Sequence, residues 1–164
     1  MLISLNKETS LDVVIDIIKE KLDAGGTVTF TPNGTSMLPM LRDGEDVVML
    51  KKPEGKLHLF DVPLYQRTNG AYVLHRVIDF EKDGSYILCG DNQFEKEKGI
   101  KDNQIIAVLV GFVRKGKAYS VKSFRYRFYV NFWYYTRFFR HVFRSAKYRM
   151  GFKGKKKKVK TDTD

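Results

Sequence analysis

Three side chains that could carry out acyl transfer follow one another along the chain: Ser36, His75 and Asp91. A serine hydroxyl is a weak nucleophile until a base takes its proton, and a neutral imidazole can do so near neutral pH. A carboxylate beside the imidazole orients the ring and favours the charged form that develops in the transition state. Together, these residue types could carry out acyl transfer through a serine nucleophile, for which no metal or cofactor is expected.

Ser36 lies in the segment Gly-Thr-Ser-Met-Leu-Pro-Met-Leu, residues 34–41. The glycine permits a turn before the serine, and the proline restricts the backbone after it. Large apolar residues follow the serine and lie on both sides of the proline. We expect such a segment to project the hydroxyl from a rigid, partly apolar edge, which suits a nucleophile awaiting a base.

His75 is the candidate base. It falls in a predicted strand, residues 71–79, where it shares a face with two valines and points toward apolar surroundings. Desolvation there would keep the imidazole neutral and able to accept a proton. A purely structural histidine is the alternative interpretation. His58 follows a Pro-Glu-Gly-Lys loop and His141 lies in a basic tail, so both fit a catalytic role less well.

Asp91 stands in a Gly-Asp-Asn turn, where Asp and Asn also bond locally to the backbone. Together with the Ser-Met-x-Pro-x-Leu motif at Ser36, the Asp-Gly-Glu-Asp-Val-Val segment 43–48 and His75, this turn resembles the signal peptidase I group. The resemblance is to its serine–histidine branch, within the S24/S26 peptidase class, and it covers residues 34–117.

The resemblance implies a serine endopeptidase that cleaves signal or leader peptides from precursors after a small residue. Ser36 would be the nucleophile, His75 the base and Asp91 the acid near the histidine. A second acid often follows the Gly-Asp-Asn turn in this group; Glu97 and Asp102 are the candidates, and we select Asp102 as the possible supporting acid.

The same resemblance implies an oxyanion hole. The backbone N–H of Ser36 is the expected first donor. Many relatives place a hydroxyl two positions before the nucleophile, whereas this chain has Gly34 there. The second donor is therefore expected to be another backbone N–H or the Thr35 hydroxyl.

Charge is strongly polarised along the chain. Residues 1–102 carry 13 Lys and Arg against 17 Asp and Glu, whereas residues 103–164 carry 17 against 2. A mildly acidic body with a basic tail predicts an anionic partner for the tail, either a phospholipid surface or nucleic acid. The N-terminus lacks the apolar run of a secretory signal, and no window has the apolar length of a spanning helix.

Short β-type runs separated by turns predict a mainly β fold, a compact antiparallel barrel or folded sheet of the signal peptidase type. The dipeptides Asn69-Gly70 and Asp83-Gly84 indicate tight hairpins. The predicted strands are 27–31, 46–50, 60–65, 71–79, 85–89 and 104–114.

Helices are predicted on both sides of this β domain (27–120). Apolar residues recur at helical spacing within 1–26, with a Thr9-Ser10 start and a Gly25-Gly26 end, and we expect this helix to pack against the core. Segment 121–154 predicts a second helix ending at Gly151, followed by a Lys-rich tail, 155–164. In that helix an aromatic face (Phe124, Phe128, Phe132, Tyr135, Phe139, Val142, Ala146, Met150) is predicted opposite a cationic one (Arg137, Arg140, Arg144, Lys147).

Three functions follow as hypotheses. The first is a signal-peptidase-like endopeptidase whose tail helix docks on an anionic membrane surface; core packing of the tail aromatics is the alternative there. The second is a cytoplasmic peptidase that trims the leader of a ribosomally made, modified peptide. The third is a non-catalytic module whose tail binds membrane or nucleic acid. Segregation of aromatic and basic residues favours lipid over nucleic acid, and a peripheral membrane or cytoplasmic location is expected.

Overall fold

The computed structural model describes residues 11–137, 139, 140 and 142. They form a mainly β protein with two α-helices. The elements are α1 (Leu11–Asp23), β1 (Val28–Phe30), β2 (Val47–Lys51), β3 (Pro63–Gln66), β4 (Tyr72–Leu74), β5 (Arg76–Phe80), β6 (Tyr86–Cys89), β7 (Glu97–Ile100), β8 (Ile105–Arg114), β9 (Lys117–Ser120) and α2 (Phe124–Tyr135). The chain divides into two compact units, residues 1–130 and 131–164.

The strands of the first unit form two antiparallel sheets. The larger sheet curls into a half-barrel in the order β1-β2-β8-β3-β4, with β9 paired to β8. The smaller sheet has the order β5-β6-β7. The predicted mainly β, antiparallel architecture is confirmed at this level. β1 and β4 are the two ends of the larger sheet's path.

Both predicted hairpin turns are present. Asn69-Gly70 connects β3 to β4, and Asp83-Gly84 connects β5 to β6. Gly70 and Gly84 have φ values of 84° and 83°, a backbone conformation that side-chain-bearing residues adopt at a cost. The glycines are therefore what allows these turns to be tight.

One predicted strand is corrected by the structure. Segment 71–79 is not continuous: it ends as β4 in the larger sheet, breaks at His75 and resumes as β5 in the smaller one. His75 therefore lies at the crossover between the sheets. The structure also adds β7 and β9, whose sequences are largely charged or polar and carry little β propensity.

The first helix is positioned by apolar burial. Val14, Ile15, Ile18 and Leu22 are buried in the same cluster as the inner side chains of β1, β2 and β8. The predicted packing of this helix against the core is thus confirmed, while its predicted start at Thr9-Ser10 lies outside the described residues.

Part of the predicted C-terminal organisation also lies outside the described residues: Arg144, Ala146, Lys147, Met150, Gly151 and tail 155–164. Of the second predicted helix, the structure describes α2 and four helical positions beyond it. Within residues 11–137, 139, 140 and 142, no helix combines the length and the apolar character that crossing a bilayer requires.

Candidate active site

Ser36 and His75 line the same open cleft, whose volume is about 260 Å³. Ser36 lies in the connection from β1 to β2 in the larger sheet, and His75 lies where the chain passes into the smaller sheet. Two residues that are 39 positions apart in sequence thus line one cleft. This is the juxtaposition that the sequence predicts for a nucleophile and its base.

The turn that carries Ser36 is held by the loop between β6 and β7. The backbone N–H of Asn92 donates to the carbonyl of Ser36 (2.8 Å), and Asn92 Nδ2 donates to the carbonyl of Thr35 (3.1 Å). At Gly90, a Cβ atom would stand only 2.7 Å from the carbonyl oxygen of Ser36. The Gly-Asp-Asn turn therefore packs closely against the turn that carries Ser36 and supports it.

A buried carboxylate supports the other end of the same turn. Asp46 is fully buried; it accepts from the backbone N–H of Arg42 (2.9 Å) and from the guanidinium of Arg114, which also donates to the Met40 carbonyl (2.5 Å). Burial opposes ionisation, but the hydrogen bonds from Arg114 and Arg42 prevail and lower the pKa of Asp46. The Asp-Gly-Glu-Asp segment thereby fixes the end of the turn that carries Ser36.

The His75 ring is oriented by the carboxylate of Glu97. Nδ1 of His75 lies 2.9 Å from Oε1 of Glu97, and the ring is only 2% exposed. Since a carboxylate can only accept, Nδ1 carries the proton in this contact, and Nε2 keeps the lone pair of a general base. A second, longer contact joins Nδ1 to the Tyr65 hydroxyl (3.4 Å).

Burial lowers the pKa of His75 below its ordinary value, because the protonated ring loses its hydration. The neighbouring Glu97 carboxylate acts in the opposite direction without overcoming this effect, and the Arg67 guanidinium adds to the lowering. The ring is therefore held neutral, the form in which it can accept a proton.

Glu97 is itself fixed by Arg67. Nε and Nη2 of Arg67 donate to the two carboxylate oxygens, at 2.8 Å and 2.5 Å. Burial raises the pKa of Glu97, but hydrogen bonds from Arg67 and Tyr65 and the nearby His75 outweigh this, so that the pKa lies below its usual range. The carboxylate is thus charged and its orientation toward His75 is rigid.

The structure places the predicted acid Asp91 in a different interaction. Both of its oxygens accept from Arg76, from Nε and from Nη2, each at 2.7 Å, and both side chains are buried. Arg76 also donates to the Phe60 carbonyl (2.9 Å) and contacts the Tyr126 hydroxyl (3.2 Å). The carboxylate hydrogen-bonded to His75 is that of Glu97, and Asp91 instead ties its own loop to β5.

Asp102, the predicted supporting acid, is also placed elsewhere. It begins a short 3-10 turn, accepts from the Tyr86 hydroxyl and pairs with Lys56 (3.4 Å). The hydrogen bond from Tyr86 lowers its pKa. Glu97 lies closer in sequence to the Gly-Asp-Asn turn than Asp102 does. That shorter spacing was the one signal in the sequence that favoured Glu97.

An apolar groove of about 180 Å³ adjoins the cleft. It is lined by the buried face of α1 and by the end strands β1 and β4 of the larger sheet. The two cavities share four lining residues: Pro32, Asn33, Tyr72 and Leu74. The polar cleft at Ser36 therefore continues into an apolar channel bordered by two sheet edges.

Comparisons with protein-family models, with curated proteins and with solved structures found no match for this chain. The chemical class of the site is therefore inferred from its own geometry and from the residue pattern around Ser36, His75 and the Gly-Asp-Asn turn. The backbone N–H of Ser36 and the Thr35 hydroxyl stay the predicted oxyanion donors.

Proposed function

We propose that this protein is a serine endopeptidase, similar to signal peptidase I in its fold and its serine–histidine mechanism. The observation that carries the proposal is the buried His75, whose Nδ1 is bound to Glu97 while its ring borders the cleft that also contains Ser36. A neutral, oriented imidazole in the same cleft as a turn-borne serine supports general-base activation of the hydroxyl.

In the first half of the reaction, the oxygen of Ser36 attacks the carbonyl carbon of the peptide bond, and Nε2 of His75 takes the hydroxyl proton. The imidazolium so formed is stabilised by the charged Glu97, whose carboxylate is held by Arg67. Nε2 then gives the proton to the leaving amine nitrogen as the C–N bond breaks. An acyl ester on Ser36 and a free amine are left.

In the second half, water enters and His75 removes one of its protons, so that the hydroxide attacks the ester carbonyl. The tetrahedral adduct collapses, the carboxylate product leaves, and the proton returns to the Ser36 oxygen. The oxyanion of both adducts would be met by the Ser36 N–H and the Thr35 hydroxyl. The cycle needs no group beyond the chain and water.

The substrates that we propose are extended segments of polypeptide, such as signal or leader peptides, cut near a membrane surface. The end strands β1 and β4 border the cavities, and an extended chain can pair with such edges through backbone hydrogen bonds. The apolar groove can take alternate side chains of the same segment.

Endopeptidase activity is the direct test. The purified protein should cut members of a pool of synthetic peptides of mixed sequence, and mass spectrometry should identify new internal termini. The Ser36→Ala protein is the matched control for contaminating proteases. If the two proteins gave the same products, or if neither cut any peptide with or without lipid vesicles, the proposal would be wrong.

Glu97→Gln should lower kcat by about 10²- to 10⁴-fold with little change in KM, because the amide cannot stabilise the imidazolium. Since Glu97 raises the pKa of His75, the residual activity should also persist to lower pH than in the wild type. Steady-state kinetics across the acid range would measure both effects. An unchanged kcat would remove Glu97 from the mechanism.

Asp91→Asn is the matched comparison, since it makes the same chemical change in the carboxylate that was predicted to lie near His75. It leaves Arg76 without its charged partner, so we expect a loss of about 3 kcal/mol in the free energy of unfolding. Where the folded protein persists, the fall of its activity at acid pH should resemble that of the wild type. If this fall shifted to lower pH, as expected for Glu97→Gln, Asp91 would regain the role first predicted for it.

A further inference from the structure

The first turns of α2 expose aromatic side chains that the core does not use. Phe124 is 81% exposed and Phe128 is 64% exposed, although each could bury a large apolar area. In the same helix Val130 is buried, and Tyr126 and Tyr129 pack against the main core cluster. One face of the helix thus packs against the core of the first unit, and Phe124 and Phe128 are largely exposed.

Helical geometry separates these two sets clearly. At 100° per residue, the mean direction of Phe124 and Phe128 lies about 160° from that of Tyr126 and Val130. The exposed side chains therefore lie on the face directed away from the body of the first unit. We call the pair Phe124 and Phe128 the aromatic ridge.

The second unit, taken by itself, also exposes apolar side chains. Phe132, Tyr135, Phe139 and Val142 recur there at intervals of three or four residues, and each is between 48% and 70% exposed. No other part of the described chain exposes large apolar side chains at so regular a helical spacing. Exposed apolar surface of this extent marks an interaction site.

Cationic side chains border the ridge. Arg125 and Arg127 are exposed, and at 100° per residue each stands about 80° to one side of the mean direction of Phe124 and Phe128. Guanidinium groups at the flanks of an apolar face can reach lipid headgroups while the face enters the acyl region. The chain has no acidic residue from 103 to 161 that would oppose an anionic surface.

We propose that the aromatic ridge is a lipid-docking surface that lies in the headgroup region of an anionic bilayer, with Arg125 and Arg127 on the lipid phosphates. Nucleic acid is the other anionic ligand, and the experiment below includes it as an outcome. The proposal does not depend on the peptidase assignment, because none of these side chains lines the cleft.

Co-sedimentation with vesicles tests the proposal with the full-length protein. Vesicles of phosphatidylcholine with about one third phosphatidylglycerol should bind it, and pure phosphatidylcholine vesicles should bind it at least about tenfold more weakly. Between about 0.1 M and about 1 M salt, binding should weaken but persist, because screening affects the arginines and not the buried rings.

Two pairs of variants separate the contributions of the aromatic and the arginine side chains to vesicle binding. Phe124→Ser with Phe128→Ser should reduce binding at least about tenfold at every salt concentration. Arg125→Gln with Arg127→Gln should reduce the preference for anionic lipid. The matched controls, Leu59→Ser with Phe80→Ser and Lys82→Gln with Lys98→Gln, remove exposed groups of the same kinds elsewhere and should leave binding unchanged.

Should the first pair fail to fold, the single variants Phe124→Ser and Phe128→Ser provide a second test of the ridge. Wild-type binding to anionic vesicles that neither the pair nor the single variants reduce would overturn the proposal, as would no vesicle binding at all. Self-association abolished by the ridge variants would assign the ridge to a second copy, and tighter binding to a nucleic acid of matched charge would assign it to that ligand. Vesicle binding without any peptide cleavage would leave the docking surface intact and reject only the peptidase.

Discussion

Ser36→Ala should reduce peptide cleavage by about 10⁴-fold or more in kcat, to the level that binding and the oxyanion donors alone can sustain. The substitution removes one oxygen from a half-buried side chain and leaves the supporting hydrogen bonds of the turn, which use the carbonyls of Thr35 and Ser36. The free energy of unfolding should therefore change by no more than about 0.5 kcal/mol.

The measurement is kcat for a cleaved peptide together with a thermal or denaturant unfolding curve for both proteins. Ser85→Ala is the matched control. It removes a hydroxyl that donates within the hairpin turn, to Glu81 and Asp83, and should leave kcat unchanged. A folded Ser36→Ala protein that cuts peptides at the normal rate would eliminate Ser36 as the nucleophile.

His75→Ala should be nearly as damaging as Ser36→Ala, and the double variant should be little worse than either, because the two residues act as one unit. The ring is almost fully buried, so the alanine variant also leaves a cavity. His75→Gln fills more of that space and tests whether activity is lost with the base or with the packing. His58→Ala, at an 88% exposed histidine, is the control and should be active.

The pH dependence gives a second measure of His75. Only the neutral ring can act as the base, so kcat/KM should be level above the pKa of His75 and fall as the pH drops through it. Burial places that pKa below the ordinary value of 6.5, and the midpoint of the fall should therefore lie below pH 6.5. Stability should decline over the same acid range, because the unfolded chain takes up this proton at a higher pH than the folded one. A rate that is flat down to about pH 4 would contradict a histidine base.

Local signals predicted much of the fold. Hairpin dipeptides located both tight turns, and apolar spacing located α1 and the face that it buries. These features depend on residues close together in sequence, for which periodicity and turn chemistry are direct consequences of backbone geometry. The pairing of Ser36 with His75 in one cleft was predicted from residue order and motif resemblance.

The sequence named Asp91 as the acid near His75, whereas the carboxylate in contact with the ring is that of Glu97, because this contact depends on tertiary structure. Glu97 begins a short charged strand with little β propensity, and its position beside His75 follows from the pairing of β7 with β6. Likewise, nothing local indicates that Arg76, next to His75, takes Asp91 as its ion-pair partner. Two adjacent residues, His75 and Arg76, thus contact two different acids, Glu97 and Asp91 respectively.

The hydrogen bonds from Asn92 to the Ser36 turn have a consequence for the order of folding. They join backbone segments 57 residues apart, from loops that belong to different sheets. Contacts at such separation form only after the loop-closure entropy has been overcome, which places them late in assembly. During synthesis, a chain that has emerged only as far as β5 holds both Ser36 and His75 but lacks the loop that supports the Ser36 turn. Under the proposed function, cleavage of peptides would therefore require that the loop between β6 and β7 has already closed on this turn.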